Sequence, residues 1–513
     1  MLLADVVTIS GDVGATRSRT RKTALLADLI GGLEADEVVP AIGMLVAAPR
    51  QGRLGVGWST LSRVVAEPAE HATLSVAQVD ASFSALADLS GSGSAAGRQV
   101  VLTDLFARAT AAERTFLMGV LMGEVRQGAL ETMLADAIAT AADIPLELVR
   151  RAWMLTGSLT ETASLALGGG AAALSEVGLQ VLRPVKPMLA ATATSVEAAV
   201  TDTGAAVVDY KLDGARIQVH RDGDTIAVFT RSLKDVTSRV PELVAVVAAL
   251  PAQRLILDGE SLVLDESSNR PRSFADTQSR FGAQVSRQEL LRPYFFDVLH
   301  VDGRDLIDEP LGERLDELER VAGPWRVPSI RTTDPEVGTR VLNEALAAGH
   351  EGVVVKALSS RYAAGRRGSD WQKVKPVRTI DLVVLAAEWG HGRRVGWLSN
   401  LHLGARDPDG NYGEPGGFVM VGKTFKGMTD VMLEWQTAAL QAFEIRRTGG
   451  TVWLRPQLVV EVAFDAAQVS SRYPGGAALR FARVVRYRED KDAAEADTID
   501  AVRVALPTAR ETR

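Results

Sequence analysis

The sequence predicts a multidomain fold with an all-α N-terminal region, a central α+β region and a C-terminal β-barrel. A chain of 513 residues is too long for one hydrophobic core. Near residue 190 the apolar residues change from a three- and four-residue spacing to an alternating one. From about Ile380, short alternating segments separated by glycine turns are typical of a small barrel.

Residues 1 to about 165 carry the helical pattern. Asp143 is expected to cap a helix with Pro145 in its first turn. The run SGSGSAAG (90–97) predicts a surface loop, and GGGAAALSE (168–176) predicts a break before the strands begin. The helical spacing is clearest in one set of apolar residues: Phe116, Val120, Leu121, Leu130, Met133, Leu134 and Ile138.

The central region alternates apolar and polar residues around RDGD (221–224), which indicates a β-hairpin. LILDGESLVLD, YFFDVLHVDG and EGVVVKAL are further strand candidates. Together with the breaks described above, these segments predict three domains at 1–180, 181–378 and 379–513.

Composition narrows the classes of function. The chain has no cysteine, which excludes disulfides, cysteine zinc sites and a cysteine nucleophile. The net charge of -7 does not indicate nucleic-acid binding, but the segments 353–378 and 470–488 are locally basic. The N-terminus lacks the order of a signal peptide, and no apolar run approaches the roughly 20 residues of a membrane span. We therefore expect a cytoplasmic protein.

One lysine, Lys211 in DYKLDGAR (209–216), stands at the head of an ordered set of charged and aromatic motifs. Taken alone, each motif has an ordinary structural explanation, such as an exposed strand lysine or a core aromatic residue. Their order argues against coincidence. The set comprises Arg216, Arg231 in FTRS, Glu260 in LDGE, Phe296 in YFFDVL, Glu351 and Lys356 in EGVVVK, Arg367, Lys373 and Lys375 in GRRGSDWQKVKP, and Arg488, Asp490 and Lys491 in RYREDK.

The order KxDGxR, SR, DGE, FDxL, EGxxxK, KxK and RxDK resembles the covalent nucleotidyltransferases, which include ATP-dependent DNA ligases and mRNA capping enzymes. It is most similar to the DNA ligases of archaeal and eukaryotic replicative type, which carry an N-terminal helical DNA-binding domain. The composition is similar to that of actinobacterial members. The motifs cover about 185 to 491. The resemblance implies an ATP-grasp-like α+β nucleotidyltransferase (adenylation) domain and a C-terminal OB-fold.

The resemblance implies a monomeric enzyme that uses ATP and Mg²⁺ to seal nicks in duplex DNA. Lys211 would attack the α-phosphorus of ATP, the AMP would pass to the 5′-phosphate of the nick, and the 3′-hydroxyl would displace it. An amine attacks only when unprotonated, and neighbouring cations disfavour the ammonium form. We expect that field from Mg²⁺ and three side chains: Arg216, Lys373 and Lys375. The two lysines flank Val374 on a strand and so face the same side.

The remaining motif residues are expected to hold the nucleotide, several with two open roles. Asp209 would contact the adenine through its backbone or its side chain. Phe296 would stack on the purine unless it belongs to the core. Glu260 would bind a ribose hydroxyl or, with Glu351, the Mg²⁺, which prefers hard oxygen ligands.

The other basic residues are expected to meet phosphates. Arg231 would meet the γ-phosphate or the nick, and Arg367 a phosphate or the AMP. The RxDK motif (Arg488, Asp490 and Lys491) would orient pyrophosphate. Arg126 in the helical region is either a minor-groove contact or a solvated helix residue.

Two other functions stay open at this point. An RNA ligase or capping enzyme shares the motifs, but it usually lacks a helical region of about 180 residues. A non-catalytic DNA-binding scaffold with a ligase-like core is disfavoured, since Lys211, Glu260 and Lys373 are all present. An NAD-dependent ligase would carry a cysteine zinc site, which this chain cannot form.

Overall fold

The computed structural model describes residues 1–125, 131–265, 271–272, 277, 280, 291–364, 367–376 and 378–506, with Arg367 and Arg393 described by their backbones alone. The chain divides into two compact units, Met1–Val374 and Lys375–Arg513. Among the residues described, no helix combines the length and the apolar character that crossing a membrane requires.

The first unit begins with a helical region around one hydrophobic core. Thr110 caps a helix here, since its hydroxyl accepts from the Glu113 backbone N–H and the Glu113 carboxylate accepts from the Thr110 backbone N–H. That helix buries Phe116 and Val120, as the spacing predicted. The helices are α1 Leu3–Ala15, α2 Arg19–Gly31, α3 Val38–Leu45, α4 Trp58–Leu61, α5 Val76–Asp88, α6 Ser94–Arg108, α7 Ala111–Met122, α8 Glu131–Ala141, α9 Leu146–Thr156 and α10 Leu159–Ser175.

Two of three local predictions in this region are wrong. Asp143 does not cap α9; it has a positive φ of 52°, and Pro145 itself stands at the N-cap without a side-chain bond. The expected surface loop ends early, because α6 starts at Ser94 inside the run 90–97. The predicted break at 168–176 is present as a kink. Gly170 (φ 65°, ψ -156°) leaves the helical region of the backbone, two helical segments meet there, and α10 ends at Ser175 inside the run.

The central α+β region of the same unit contains two five-stranded sheets. Its strands are β1 Leu189–Thr192, β2 Ala206–Lys211, β3 Ala215–Asp222, β4 Thr225–Thr230, β5 Arg254–Val263, β6 Leu291–Val301, β7 Arg304–Asp305, β8 Ser329–Thr332, β9 Gly352–Ala357 and β10 Arg367–Val374. Its helices are α11 Val196–Thr203, α12 Pro241–Ala248, α13 Leu311–Ala322 and α14 Pro335–Ala347, with 3₁₀ turns at Thr237–Arg239 and Gly323–Trp325. One sheet has the order β1-β10-β9-β2-β8 and the other β4-β3-β5-β6-β7.

The predicted hairpin is confirmed. β3 and β4 pair antiparallel with Asp222 opposite Thr225, and Gly223 takes a positive φ of 60° in the turn. A separate buried cluster joins the helical region to the central one: Met154, Leu155, Val185, Met188, Ile256, Leu299, Ile307, Tyr362, Ala364 and Trp371. This packing fixes the segment that leads from α10 into β1.

The second unit is a β domain with a long central strand. Its strands are β11 Arg378–Trp389, β12 Leu398–Asp407, β13 Gly417–Thr424, β14 Glu444–Thr448, β15 Thr451–Leu454, β16 Val459–Phe464, β17 Ala466–Val469, β18 Ala477–Arg480 and β19 Arg483–Tyr487. Its helices are α15 Asp430–Gln441 and α16 Ile499–Val504, with 3₁₀ turns at Gly392–Arg394 and Ala493–Glu495. The first half of β11 pairs with β16 and the second half with β15.

The predicted small barrel is not confirmed in this unit. The sheet has the order β13-β12-β11-β15-β14, and β16 continues from β11 to β19. Within the described part of the chain these pairings do not close into a ring.

Candidate active site

A cavity of about 1040 Å³ lies in the first unit, lined by strands of both central sheets. It brings together seven of the predicted site residues from distant parts of the sequence: Asp209, Lys211, Arg216, Arg231, Glu260, Phe296 and Lys373. Lys356, Trp371, Lys186 and Lys234 also line it. The cavity has the size of a small-molecule site.

Lys211 ends β2, and sheet register sets its partner. Lys211 pairs with Gly352 across β2 and β9, which places Glu351 beside it; the Glu351 backbone N–H donates to the Lys211 carbonyl at 3.1 Å. The Lys211 ammonium also donates to the Glu351 carboxylate. Lys211 itself is paired with an acid, and two of the cations expected near it, Arg216 and Lys373, line the same cavity.

Arg216, which lines the same cavity as Lys211, is held in a buried network. Its Nε and Nη2 donate to the two carboxylate oxygens of Asp258 at 3.0 and 2.6 Å, and its Nη1 donates to the Met188 carbonyl at 2.6 Å. The Tyr362 hydroxyl donates to Asp258 at 2.6 Å and accepts from the Met188 N–H at 3.1 Å. The positive charge of Arg216 is thus offset by Asp258, and its position is fixed on two sides.

Phe296 stands in an aromatic and cationic wall. As the alternation predicted, Phe295 is fully buried while Phe296 lines the cavity. The Lys356 ammonium lies 4.2 Å from the ring centroids of both Phe296 and Trp371. The same ammonium lies 2.7 Å from Oδ2 of Asp209, and both side chains are nearly inaccessible to solvent.

Two carboxyl groups of the site have raised pKa values. Burial raises the pKa of Asp209, although the Lys356 cation opposes the shift. Its Oδ1 atom is buried and makes no hydrogen bond within the described part of the chain. Burial also raises the pKa of Glu260 to about 7, against the opposing charges of Lys211 and Arg216. Glu260 therefore changes its charge near neutral pH.

Glu351 meets this cavity through its ion pair with Lys211. Arg367 begins β10, and Lys375 is the first residue of the second unit. Arg126 lies outside the described residues.

The RxDK motif lies in the second unit. There Arg488 Nη1 and Lys491 Nζ both donate to Oδ2 of Asp381, at 2.8 and 2.7 Å. Asp490 contacts Arg488 on its other side, at 2.7 and 2.8 Å.

Sequence reasoning missed several residues that hold these groups. Asp258 stands inside the apolar run LILDGE, and a charged residue in such a run is a signal for a buried ion pair. Tyr362 carries no comparable signal, because its contacts with Asp258 and Met188 join segments more than 100 residues apart. Asp381 likewise lies 107 residues before its partner Arg488.

Comparison with known proteins places the chain in a family. The model of the ATP dependent DNA ligase domain matches residues 187–375, that of the ATP dependent DNA ligase C terminal region matches 394–491, and that of the DNA ligase N terminus matches 66–139. The chain belongs to the ATP-dependent DNA ligases, a family of enzymes that use ATP and act on nicked DNA. The resemblance drawn from the motifs is confirmed, as is the order of a helical region, a nucleotidyltransferase region and a β domain.

Similarity extends over the whole chain. A probable DNA ligase of Pseudarthrobacter chlorophenolicus is 58% identical over 99% of this chain and 100% of its own length. One of Rhodococcus opacus is 57% identical over 99% of this chain and 100% of its own length. A solved structure named Pmar-Lig_Pre shares the fold with a TM-score of 0.62 at 18% identity, over 94% of this chain and 99% of that one.

Proposed function

We propose that the chain seals nicks in duplex DNA through a covalent lysyl-AMP intermediate formed on Lys211. One observation carries this assignment: Lys211 lines a large cavity together with a glutamate, an aromatic ring and several cations from both sheets. In the first step Nζ bonds to the α-phosphorus of ATP while the bond to the β-phosphate oxygen breaks and pyrophosphate leaves. In the second, an oxygen of the 5′-phosphate replaces Nζ. In the third, the 3′-hydroxyl bonds to the 5′-phosphorus and AMP leaves.

Lys211 must lose a proton before it can attack. An ammonium group has no free electron pair, and only the neutral amine can bond to phosphorus. Glu351 already accepts from Nζ and is in position to take that proton. Lys373 lines the same cavity and would stabilise the charge on the α-phosphate during attack.

The wall around Phe296 would bind the adenine. Lys356 lies over the Phe296 ring and keeps it in place. The buried Asp209 Oδ1 has acceptor capacity that an adenine amino group would satisfy. Arg216, fixed by Asp258, would hold the ribose or a phosphate, and Glu260 a ribose hydroxyl or the metal ion. Arg231 and Arg367 would hold phosphates.

Mg²⁺ is the metal that these groups fit. Among the described residues no three metal-binding side chains cluster, and Mg²⁺ usually binds through one or two carboxylates together with substrate phosphates. Glu260 and Glu351 would hold it, and their hard oxygens match its preference. When bound, the ion would neutralise charge on the phosphates.

The second unit would act on the phosphates of ATP. We propose that it is an OB-fold whose RxDK motif (Arg488, Asp490 and Lys491) orients pyrophosphate, with Lys375 as a further phosphate ligand. We assign one task to each of the three domains. Domain 1–180 would bind DNA, domain 181–378 would carry the nucleotide, and domain 379–513 would supply the RxDK motif. The enzyme would work as a monomer in the cytoplasm, on nucleoid DNA, since one chain holds every motif.

Label transfer tests the proposal. The chain would be incubated with Mg²⁺ and α-labelled ATP, GTP or NAD, then denatured and examined for acid-labile label, with Lys211→Ala as the control. Label from ATP that the control lacks is the expected result. Label from GTP would favour a capping enzyme, and no label from any donor would favour a DNA-binding scaffold.

A further inference from the structure

Lys186 lines the cavity from the segment that joins the helical region to β1. Its backbone N–H donates to the Met154 carbonyl at 2.9 Å. The neighbouring Val185 is held by the Gln218 amide, which accepts from the Val185 N–H at 2.8 Å and donates to the Val185 carbonyl at 3.1 Å. The backbone of Lys186 is therefore fixed, whereas its side chain can rotate between partners.

The partner in this structure is an acid from the helical region. Glu131, the first residue of α8, also lines the cavity, and its two carboxylate oxygens lie 2.9 and 3.1 Å from the Lys186 ammonium. The Glu131 side chain is 50% exposed and that of Lys186 is 22% exposed, so the pair lies at the open side of the cavity. The Lys186 ammonium also makes a cation–π contact with Trp153, 4.9 Å from the centroid of the ring.

Little stability would be lost if another anion displaced Glu131 from the Lys186 ammonium. A partly exposed ion pair contributes little to stability, because water screens it. A phosphate offers the ammonium the same kind of oxygen ligands as Glu131 and carries more negative charge. Arg231 and Lys234 line the same cavity, so an incoming phosphate would meet a basic rim.

We propose that Lys186 is a phosphate-binding residue of this cavity and that Glu131 occupies its ammonium group until a phosphate arrives. The proposal rests on the proposed function, which brings two phosphates to the site: the tail of ATP and the 5′-phosphate of the nick. Both offer the same chemistry to Lys186. An experiment with two arms, one for each phosphate, decides which of them Lys186 binds.

Both arms measure binding without turnover, at fixed ionic strength because phosphate contacts depend on salt. One arm titrates α,β-methylene ATP, which cannot adenylate the enzyme. The other compares a nicked duplex carrying a 5′-phosphate with one carrying a 5′-hydroxyl. Each arm uses the full chain and three variants: Lys186→Met, which removes the charge; Lys186→Arg, which keeps it; and Glu131→Gln, which removes the competing acid.

The proposal expects opposite signs from the two partners. These effects are expected in the arm that contains the phosphate bound by Lys186. There Lys186→Met weakens binding by about tenfold, Lys186→Arg stays near wild type, and Glu131→Gln strengthens binding by a few-fold. For the nick, the changes appear with the 5′-phosphate and not with the 5′-hydroxyl. Equal weakening by Lys186→Met and Glu131→Gln would show a merely structural pair and overturn the proposal, as would no change in either arm.

The design also separates this proposal from the proposed function. If Lys186→Met fails to fold in a thermal melt, the exposed Glu131→Gln still decides by the sign of its effect. A wild-type chain that takes no label from ATP would count against the lysyl-AMP chemistry, whereas the two binding arms would still report on Lys186.

Discussion

Arg216 and Asp258 form a two-pronged ion pair, with Nε to Oδ1 at 3.0 Å and Nη2 to Oδ2 at 2.6 Å, and the Asp258 side chain is only 1% exposed. The pair stands on neighbouring strands, β3 and β5, and Arg216 lines the same cavity as the proposed nucleophile. It fixes the cation that the nucleotide would meet. Charge and position in this part of the site therefore depend on Asp258, which stands in the DGE motif but received no role in the sequence analysis.

Replacing Asp258 with Asn should damage both stability and adenylation. The change leaves the Arg216 charge buried without its partner, which typically costs about 3–5 kcal/mol. The guanidinium would also lose its fixed position, and we expect lysyl-AMP formation to slow by about tenfold or more. Urea unfolding and single-turnover labelling measure the two effects. Asp222→Asn, which breaks an exposed pair with Arg254, is the matched control and should change stability by less than about 1 kcal/mol.

Glu260 should make the stability of the first unit depend on pH. Its pKa is raised from 4.5 to about 7 in the folded chain, so the folded state keeps this proton while the unfolded state has lost it. The stabilisation is fully present below pH 4.5 and is lost as the pH rises through about 7, by at most about 3 kcal/mol.

Glu260→Gln should remove this dependence, because the amide does not titrate. Thermal melts of both proteins without ligand, at several pH values from about 4.5 to 8, give the difference. The exposed Glu176→Gln should follow wild type. A constant difference between Glu260→Gln and wild type across this range would contradict the assignment.

Asp381 should act as a positioning residue for the RxDK motif. One of its carboxylate oxygens accepts from both Arg488 and Lys491, so Asp381→Asn would release two cations at once. We expect slower adenylation by about tenfold, and unchanged sealing of a nick that is already adenylated, since pyrophosphate is absent from that step. Single-turnover assays of each step provide the measurement.

The control for Asp381 is Glu461→Gln, which removes a neighbouring pair with Arg486 at 2.8 Å and leaves the motif intact. Equal loss in both assays for Asp381→Asn would indicate general damage to the second unit. Equal behaviour of the two variants would indicate that Asp381 has no special link to the motif.

Gly214 should tolerate no side chain. A Cβ atom there would lie 2.3 Å from the Ser261 carbonyl oxygen and 2.7 Å from a Leu262 methyl carbon. Gly214→Ala must therefore push β5 away, and such overpacking typically costs about 1–3 kcal/mol. Gly168→Ala on α10, where nothing lies within 4 Å, should instead be neutral or slightly stabilising. Urea unfolding measures the free energy of unfolding of both variants. Similar values for the two would contradict this prediction.

The sequence by itself determined the family, the order of the three regions and seven of the residues that line the cavity. Lys211, Glu260, Phe296 and Lys373 stand in motifs whose order is specific, and alternation along β6 separated Phe296 from the buried Phe295. These features depend on local spacing, which a sequence displays directly. Local spacing failed at Ser94, where α6 begins inside the Gly/Ser run and continues through Gly97.

Only the tertiary structure decided which charges meet. Lys211 faces Glu351 because β2 and β9 pair in one register, and Arg216 faces Asp258 because β3 and β5 do. Lys186 meets Glu131 because α8 packs beside the cavity, 55 residues away in sequence. Contacts of this kind depend on register and packing between distant segments, and no local pattern records them.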